Sequence, residues 1–182
     1  MKKSTAMIAL GGNSLSPKGV AGSIEQQFRY TRDTMDGLSI FIRSSYNICI
    51  THGNGPQVGD ALHRMDLTSE QIPPLPLGVC VAGTQGQMGY MIQQSLQNKL
   101  REMEIDREVV TMVTQVIVDR NDESLKNPTK YIGPRYSKDK ILKMSENFNW
   151  NVKEQEPGFW RRVVPSPMPE YIMHGKSIKA LV

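Results

Sequence analysis

Thr51-His52-Gly53-Asn54-Gly55-Pro56-Gln57-Val58-Gly59 is the stretch from which the fold is read. It follows the apolar run Ile48 to Ile50, and Pro56 suits the first turn of a helix. A strand therefore runs through a glycine-asparagine turn into a helix. Glycine admits positive φ and leaves room for a ligand to approach the backbone. The bare amides of a helix start, with the helix dipole behind them, attract an anion. Asn54 adds a side-chain donor. Gly11-Gly12-Asn13 repeats the pattern after Met7 to Leu10, although alone it is explained as well by a tight turn that binds nothing. Together the two turns suggest one phosphate held from two sides. His52 reads as a structural histidine rather than an acid or base.

Outward from these turns the chain alternates strands and helices. Thr5 to Leu10 is a short buried strand closed by glycines. Ser23 is an N-cap with Gln26 three residues on, and the helix behind it carries Ile24, Phe28, Met35, Leu38 and Ile42 inward. Asn47 to Thr51 is the second strand. Gln71 to Gly78 holds Pro73, Pro74 and Pro76 and reads as a loop. Gly83 to Glu104 is the strongest helix, with Met88, Met91, Ile92, Leu96, Leu100 and Met103 at helical spacing. Gly83, Gly86 and Gly89 share one face of it and read as a close-packing stripe. Val109 to Val118 is a β-branched strand. This order predicts a parallel sheet with helices on both faces and ligands at the carboxyl ends of the strands.

Beyond Asp119 the character changes. Asn127-Pro128 and Gly133-Pro134 break the chain into turns, Lys138 to Asn147 reads as a short amphipathic helix, and Trp150 to Val164 as strands. Residues 119–164 are expected to leave the sheet as a small protruding flap and return. Ser177 to Val182 starts like a helix.

Composition sets the bounds. The 182 residues fit one ordinary domain with an appendage, and an apolar share of 38% is globular. A net charge of +4, from 22 basic and 18 acidic residues, is spread along the chain rather than gathered into a nucleic-acid track. No apolar stretch nears the ~20 residues of a membrane span. The charged Met1-Lys2-Lys3 leads into an apolar run that stops at Gly11, which reads as a first strand and not a signal peptide. Cys49 and Cys80 read as reduced thiols of a cytoplasmic protein. His52, His63 and His174 lack ligand spacing, so no metal site is expected. Lys130, between Pro128 and Gly133, is a lysine on a flap that can meet phosphate as a point charge.

Ala9 to Asn13, Thr51 to Gly59, Gly83 to Tyr90, Thr114 to Val116, Asn127 to Lys130, Ile132 to Pro134 and Arg161 to Pro167 occur in the order found in carbamate kinases. In these strings the chain closely resembles that family, a branch of the amino acid kinase superfamily. The resemblance implies a three-layer α/β sandwich with a mainly parallel sheet and a protruding subdomain. It places a substrate-binding α/β domain at residues 1–118 and 165–182, and the flap at 119–164. It implies reversible phosphoryl transfer between ATP and carbamate, run mostly from carbamoyl phosphate and ADP toward ATP. Gly11, Gly12, Asn13, Gly53, Asn54, Gly55 and Gln57 would bind substrate and phosphate, and Lys130 would be catalytic, reaching onto carbamoyl phosphate. The family implies Mg2+ with ATP or ADP, a cytoplasmic homodimer, and neither nucleic acid nor membrane as a partner.

The family's later half supplies the nucleotide-binding domain and a lysine–aspartate pair, and these are expected to be absent from the 182 residues. No GxxxxGK[ST] or GxGxxG motif replaces them. Met168 stands where the family often has lysine. Two readings follow: the substrate half of a carbamate kinase, or a non-catalytic module that binds carbamoyl phosphate or pairs with an intact subunit. A sheet lacking half its strands exposes an edge and an apolar face. The isolated chain is therefore expected to be poorly soluble. Size-exclusion chromatography with light scattering checks this, and a monodisperse, cooperatively melting monomer contradicts it.

Overall fold

The computed structural model describes residues 4–11, 15, 22–44 and 46–182. In chain order its elements are β1 (Thr5–Leu10), α1 (Ile24–Gly37), α2 (Ser39–Arg43), β2 (Asn47–His52), α3 (Gly55–Thr68) and α4 (Leu77–Glu102). Then come β3 (Val116–Val118), a 3-10 turn (Glu123–Leu125), β4 (Lys130–Tyr136), α5 (Lys138–Phe148), β5 (Asn151–Glu156), β6 (Phe159–Val164), β7 (Pro169–Ile172) and α6 (Gly175–Leu181). Two compact units result. The first comprises Met1–Pro56, Val81–Val113 and Lys176–Val182, and the second Gln57–Cys80 and Thr114–Gly175.

In the first unit β1 and β2 pair in parallel, in register from Thr5 with Asn47 to Leu10 with His52. A parallel pair needs a crossover, and α1 and α2 supply it. Ser23 caps α1 as its sequence predicts, the Oγ accepting the Gln26 N–H at 3.3 Å. The capping box stays half made, because the Gln26 side-chain oxygen has no partner among the described residues. Met35, Leu38 and Ile42 are buried against Met88, Met91, Ile92, Leu96 and Leu100 of α4, with Phe28 packed at the margin. Ile24, predicted to point inward, is instead 48% exposed on the first turn of α1.

Helix α4 starts six residues before its predicted boundary, at Leu77. The Pro76 carbonyl accepts the Val79 and Cys80 N–H groups at 3.0 and 3.1 Å, so the proline ends the loop by opening the helix. The predicted strand over Val109 to Val118 shrinks to β3. Side chains hold the preceding stretch in place: Gln97 Oε1 accepts the Val109 N–H at 3.0 Å, and the Thr111 hydroxyl donates to the Gly89 carbonyl at 3.0 Å.

The second unit is built on antiparallel pairing. Strands β4, β6 and β5 form one sheet in that order, and β3 pairs with β7. The expectation of a mainly parallel sheet is thus met by β1 and β2, while the other pairings among the described residues are antiparallel. Of these pairs, β5 and β6 are joined by the turn at Gly158, whereas α5 and β5 lie between β4 and β6, and that whole sheet lies between β3 and β7 in sequence. Leu62, Tyr136, Ile141, Val163 and Val164 are buried in this unit.

Of the three stripe glycines only Gly89 is tightly packed: a Cβ there would lie 2.2 Å from Thr111 Cγ2, whereas Gly83 and Gly86 face open space. Gly89→Ala should destabilise the fold by about 1–3 kcal/mol through overpacking. Adding Thr111→Ser, which removes the methyl and keeps the hydroxyl, should recover most of the loss in urea denaturation.

Candidate functional site

The carboxyl ends of β1 and β2 lie side by side. Leu10 is opposite His52, and the Gly53 N–H donates to the Leu10 carbonyl at 3.1 Å. Gly11 and Gly53 therefore leave neighbouring strands at the same end, as the two sequence turns predict. Gly12 and Asn13 lie outside the described residues. Because the Gly53 amide closes the ladder, the donors at this turn come from further on, at the start of α3. There the first-turn N–H groups have no carbonyl four residues back to bind. Gly55 opens that turn with free space on its Cβ side, and Pro56 carries no N–H.

Asn54 is tied down rather than loose. Its Nδ2 donates to Thr84 Oγ1 at 3.0 Å and lies 3.5 Å from the Val81 carbonyl. Thr84 is buried and its hydroxyl donates to that same carbonyl at 2.9 Å. The turn after β2 is thereby stitched to α4 through a residue that the sequence reading did not single out. His52 Nδ1 lies 3.4 Å from the Gly53 carbonyl, which accords with a structural role.

Gln57 is only 4% exposed on the first turn of α3, and both its Oε1 and Nε2 lack a hydrogen-bond partner among the described residues. A buried amide with neither atom bonded costs about 1–3 kcal/mol per lost bond. Packing alone gives no reason to keep it.

In the second unit Lys130 heads β4, is exposed, and pairs through its backbone with Val164. Its ammonium makes no ion pair among the described residues. The Met168 side chain is 76% exposed, while its N–H donates to Asp122 at 3.0 Å. The neighbouring Asp122 backbone and side-chain bonds lower that carboxyl below its ordinary value, the Ser124 contact first.

A polar cluster of which only Arg162 falls within a quoted sequence motif lies between α3, β4 and β6. The Tyr136 hydroxyl donates to Asp66 Oδ2 at 3.3 Å, and the Arg162 guanidinium stacks 4.7 Å from the Trp150 ring centre. Burial raises the Asp66 carboxyl above its usual range, against the Tyr136 hydrogen bond and the charges of Arg162 and His63. Burial, then the charge of Asp66, pushes the Tyr136 hydroxyl up to about 12. Its partners are 70 positions apart in sequence, too far for any spacing rule to find. Elsewhere, a hollow of about 300 Å³ runs along α4 beside Gln93, Gln97 and Thr111, and none of the predicted phosphate-binding residues lines it.

Because the folded state holds Tyr136 protonated up to about 12 rather than 10.0, its contribution to stability is intact below pH 10 and is lost as pH rises through about 12. Alkaline denaturation should accordingly be shallower for Tyr136→Phe than for the parent across that window, as read from urea midpoints on both sides of it.

No protein-family model matches the chain. A carbamate kinase of Pyrococcus furiosus is 44% identical over 178 residues, which make up 97% of this chain and 57% of that relative. Carbamate kinase from Giardia lamblia, in a structure bound to AMP-PNP, superposes with a TM-score of 0.89 at 32% identity, over 98% of this chain and 57% of that one. A crystal structure from Aeropyrum pernix K1 gives a TM-score of 0.92 at 33% identity, over 97% of this chain and 57% of that one. The chain thus spans somewhat more than half the length of the relatives it matches. The likeness runs across both units rather than through isolated motifs. By sequence and by fold, this chain is a homologue of the carbamate kinases.

Proposed function

We propose that the chain is the carbamoyl-phosphate-binding part of a carbamate kinase. The reaction is phosphoryl transfer from carbamoyl phosphate to ADP. An oxygen of the ADP β-phosphate forms the new P–O bond, the bond from phosphorus to the carbamoyl oxygen breaks, and carbamate leaves with those electrons. Such a reaction asks mainly for positioning and charge neutralisation.

The observation that carries this reading is the orphaned Gln57 amide on the first turn of α3, directly after the Gly53-Asn54-Gly55 turn. A substrate oxygen and a substrate N–H would satisfy it. Gly11, Gly12, Asn13, Gly53, Asn54 and Gly55 are the accompanying phosphate-binding residues of the proposal. In them Gly53 acts by shaping the turn, since its own N–H is used by Leu10. Lys130 supplies a positive charge to carbamoyl phosphate, a role supported by its lack of an ion pair among the described residues.

The proposal also takes in the finer architecture: a three-layer sandwich with residues 119–164 as its flap, and a cytoplasmic homodimer. No helix among the described residues is long and apolar enough to cross a membrane. Among them no three His, Cys, Asp or Glu side chains gather where a metal ion could be held. They do not form a magnesium site by themselves, and no step here is routed through one. In this reading Mg2+ arrives with ATP or ADP, whose site is supplied by residues other than these.

ATP formation from carbamoyl phosphate and MgADP, measured on the protein expressed in its complete reading frame, tests the function. Absence of ATP with carbamoyl phosphate still bound would leave a binding module in its place. Lys130→Ala should weaken carbamoyl phosphate binding by about 1–3 kcal/mol, the scale of a lost charged hydrogen bond. Unchanged affinity by calorimetry would remove Lys130 from the site.

A further inference from the structure

Asp66 and Tyr136 lie outside the sequence motifs quoted above, and they meet Arg162, which lies within one of them. The cluster brings a carboxylate, a phenol and a guanidinium onto a hollow of about 10 Å³, with Trp150, Gly133 and Pro134 completing the wall. That is room for about one water molecule. Each polar group comes from a different element: Asp66 from α3, Tyr136 from β4, Arg162 from β6. Apolar side chains of similar volume would fill such a spot with equal or better stability. The cluster sits where α3 meets β4. A Cβ on Gly59 of α3 would lie 3.9 Å from the Gly133 backbone, and Arg162 is opposite Ile132, two residues from Lys130.

We propose that Asp66 is a positioning residue which, through Tyr136 and Arg162, fixes β4 against α3 and so sets where Lys130 is presented. The proposal rests on the reading of Lys130 as a contact to carbamoyl phosphate. Asp66 holds the Tyr136 end of the strand by the hydrogen bond. It draws on the Ile132 end through the charge of Arg162, whose guanidinium sits over the Trp150 ring. Burial that raises the Asp66 carboxyl is consistent with a group kept at some expense to the fold. Its contribution to stability is full below pH 3.8 and falls as pH rises through the raised folded value, so at neutral pH an uncharged amide holds the fold no less well.

A double-mutant cycle between Asp66→Asn and Lys130→Ala tests this, with carbamoyl phosphate affinity read by calorimetry on the protein in its complete reading frame. Asp66→Asn is expected to melt no lower than the parent and yet bind about tenfold more weakly, within the range for coupled neighbours. In the Lys130→Ala background it should weaken binding no further. Tyr136→Phe, which keeps the ring, should show the same loss and the same non-additivity. It carries the test if Asp66→Asn does not fold. Equal weakening in both backgrounds, or none in either, overturns the positioning role while leaving Lys130 in place. Parent-like affinity of Lys130→Ala rejects the reading of Lys130 itself, and the inference with it.

Discussion

The hydrogen bond from the Gly53 N–H to the Leu10 carbonyl, 3.1 Å long, is the constraint on which the first unit depends. It closes the parallel pair of β1 and β2 and makes two turns, far apart in sequence, leave the sheet together. Parallel strands cannot be joined by a tight turn, so this bond exists only because α1 and α2 carry the chain back. Those helices must then bury an apolar face. Met35, Leu38 and Ile42 do so against the methionine and leucine row of α4. The same helix reaches back through Thr84 to fasten Asn54. Sheet, crossover and turn thus form a closed loop of dependence in which each member fixes the next.

The second unit follows another logic. Its strands pair antiparallel, β5 and β6 through a tight turn, and its interior admits charge. Asp66 and Arg162 attract one another without a direct ion pair at contact distance, and the Arg162 guanidinium sits over the face of Trp150. Water-sized space among groups of this kind is ordinary in a polar interior. It contrasts with the tight apolar packing under β1.

What was legible in the sequence was local and periodic. Apolar runs closed by glycine gave β1 and β2 to within a residue, and Ser23 marked the start of α1. What was not legible depended on distant partners. Val109 to Thr114 has the composition of a strand, but the Val109 N–H is taken by Gln97 and the Thr111 hydroxyl is tied to the Gly89 carbonyl, contacts that β-propensity does not register. The early start of α4 hides behind Gly78, which lowers helix propensity, while Pro76 raises the odds of a helix start. Ile24 obeys the helical period yet stays half exposed. Of the residues proposed to bind phosphate, Gly11, Gly53 and Asn54 were legible as turn chemistry. The burial of Gln57 and the Thr84 anchor were not, because both depend on what packs around them rather than on local spacing.

Gly133 has a φ of +70° within β4, where the register with β6 shifts between Ile132 and Tyr136. A strand of uniform residues joined to its neighbour by a long connection is free to slide along it in steps of two, preserving its faces. Only one residue of this strand accepts the left-handed conformation without strain. Gly133 therefore works as an index mark. Any slipped pairing places a bulky residue at the kink, so the unit has a single alignment to find, and errors of assembly are rejected by the backbone before any side chain is tested.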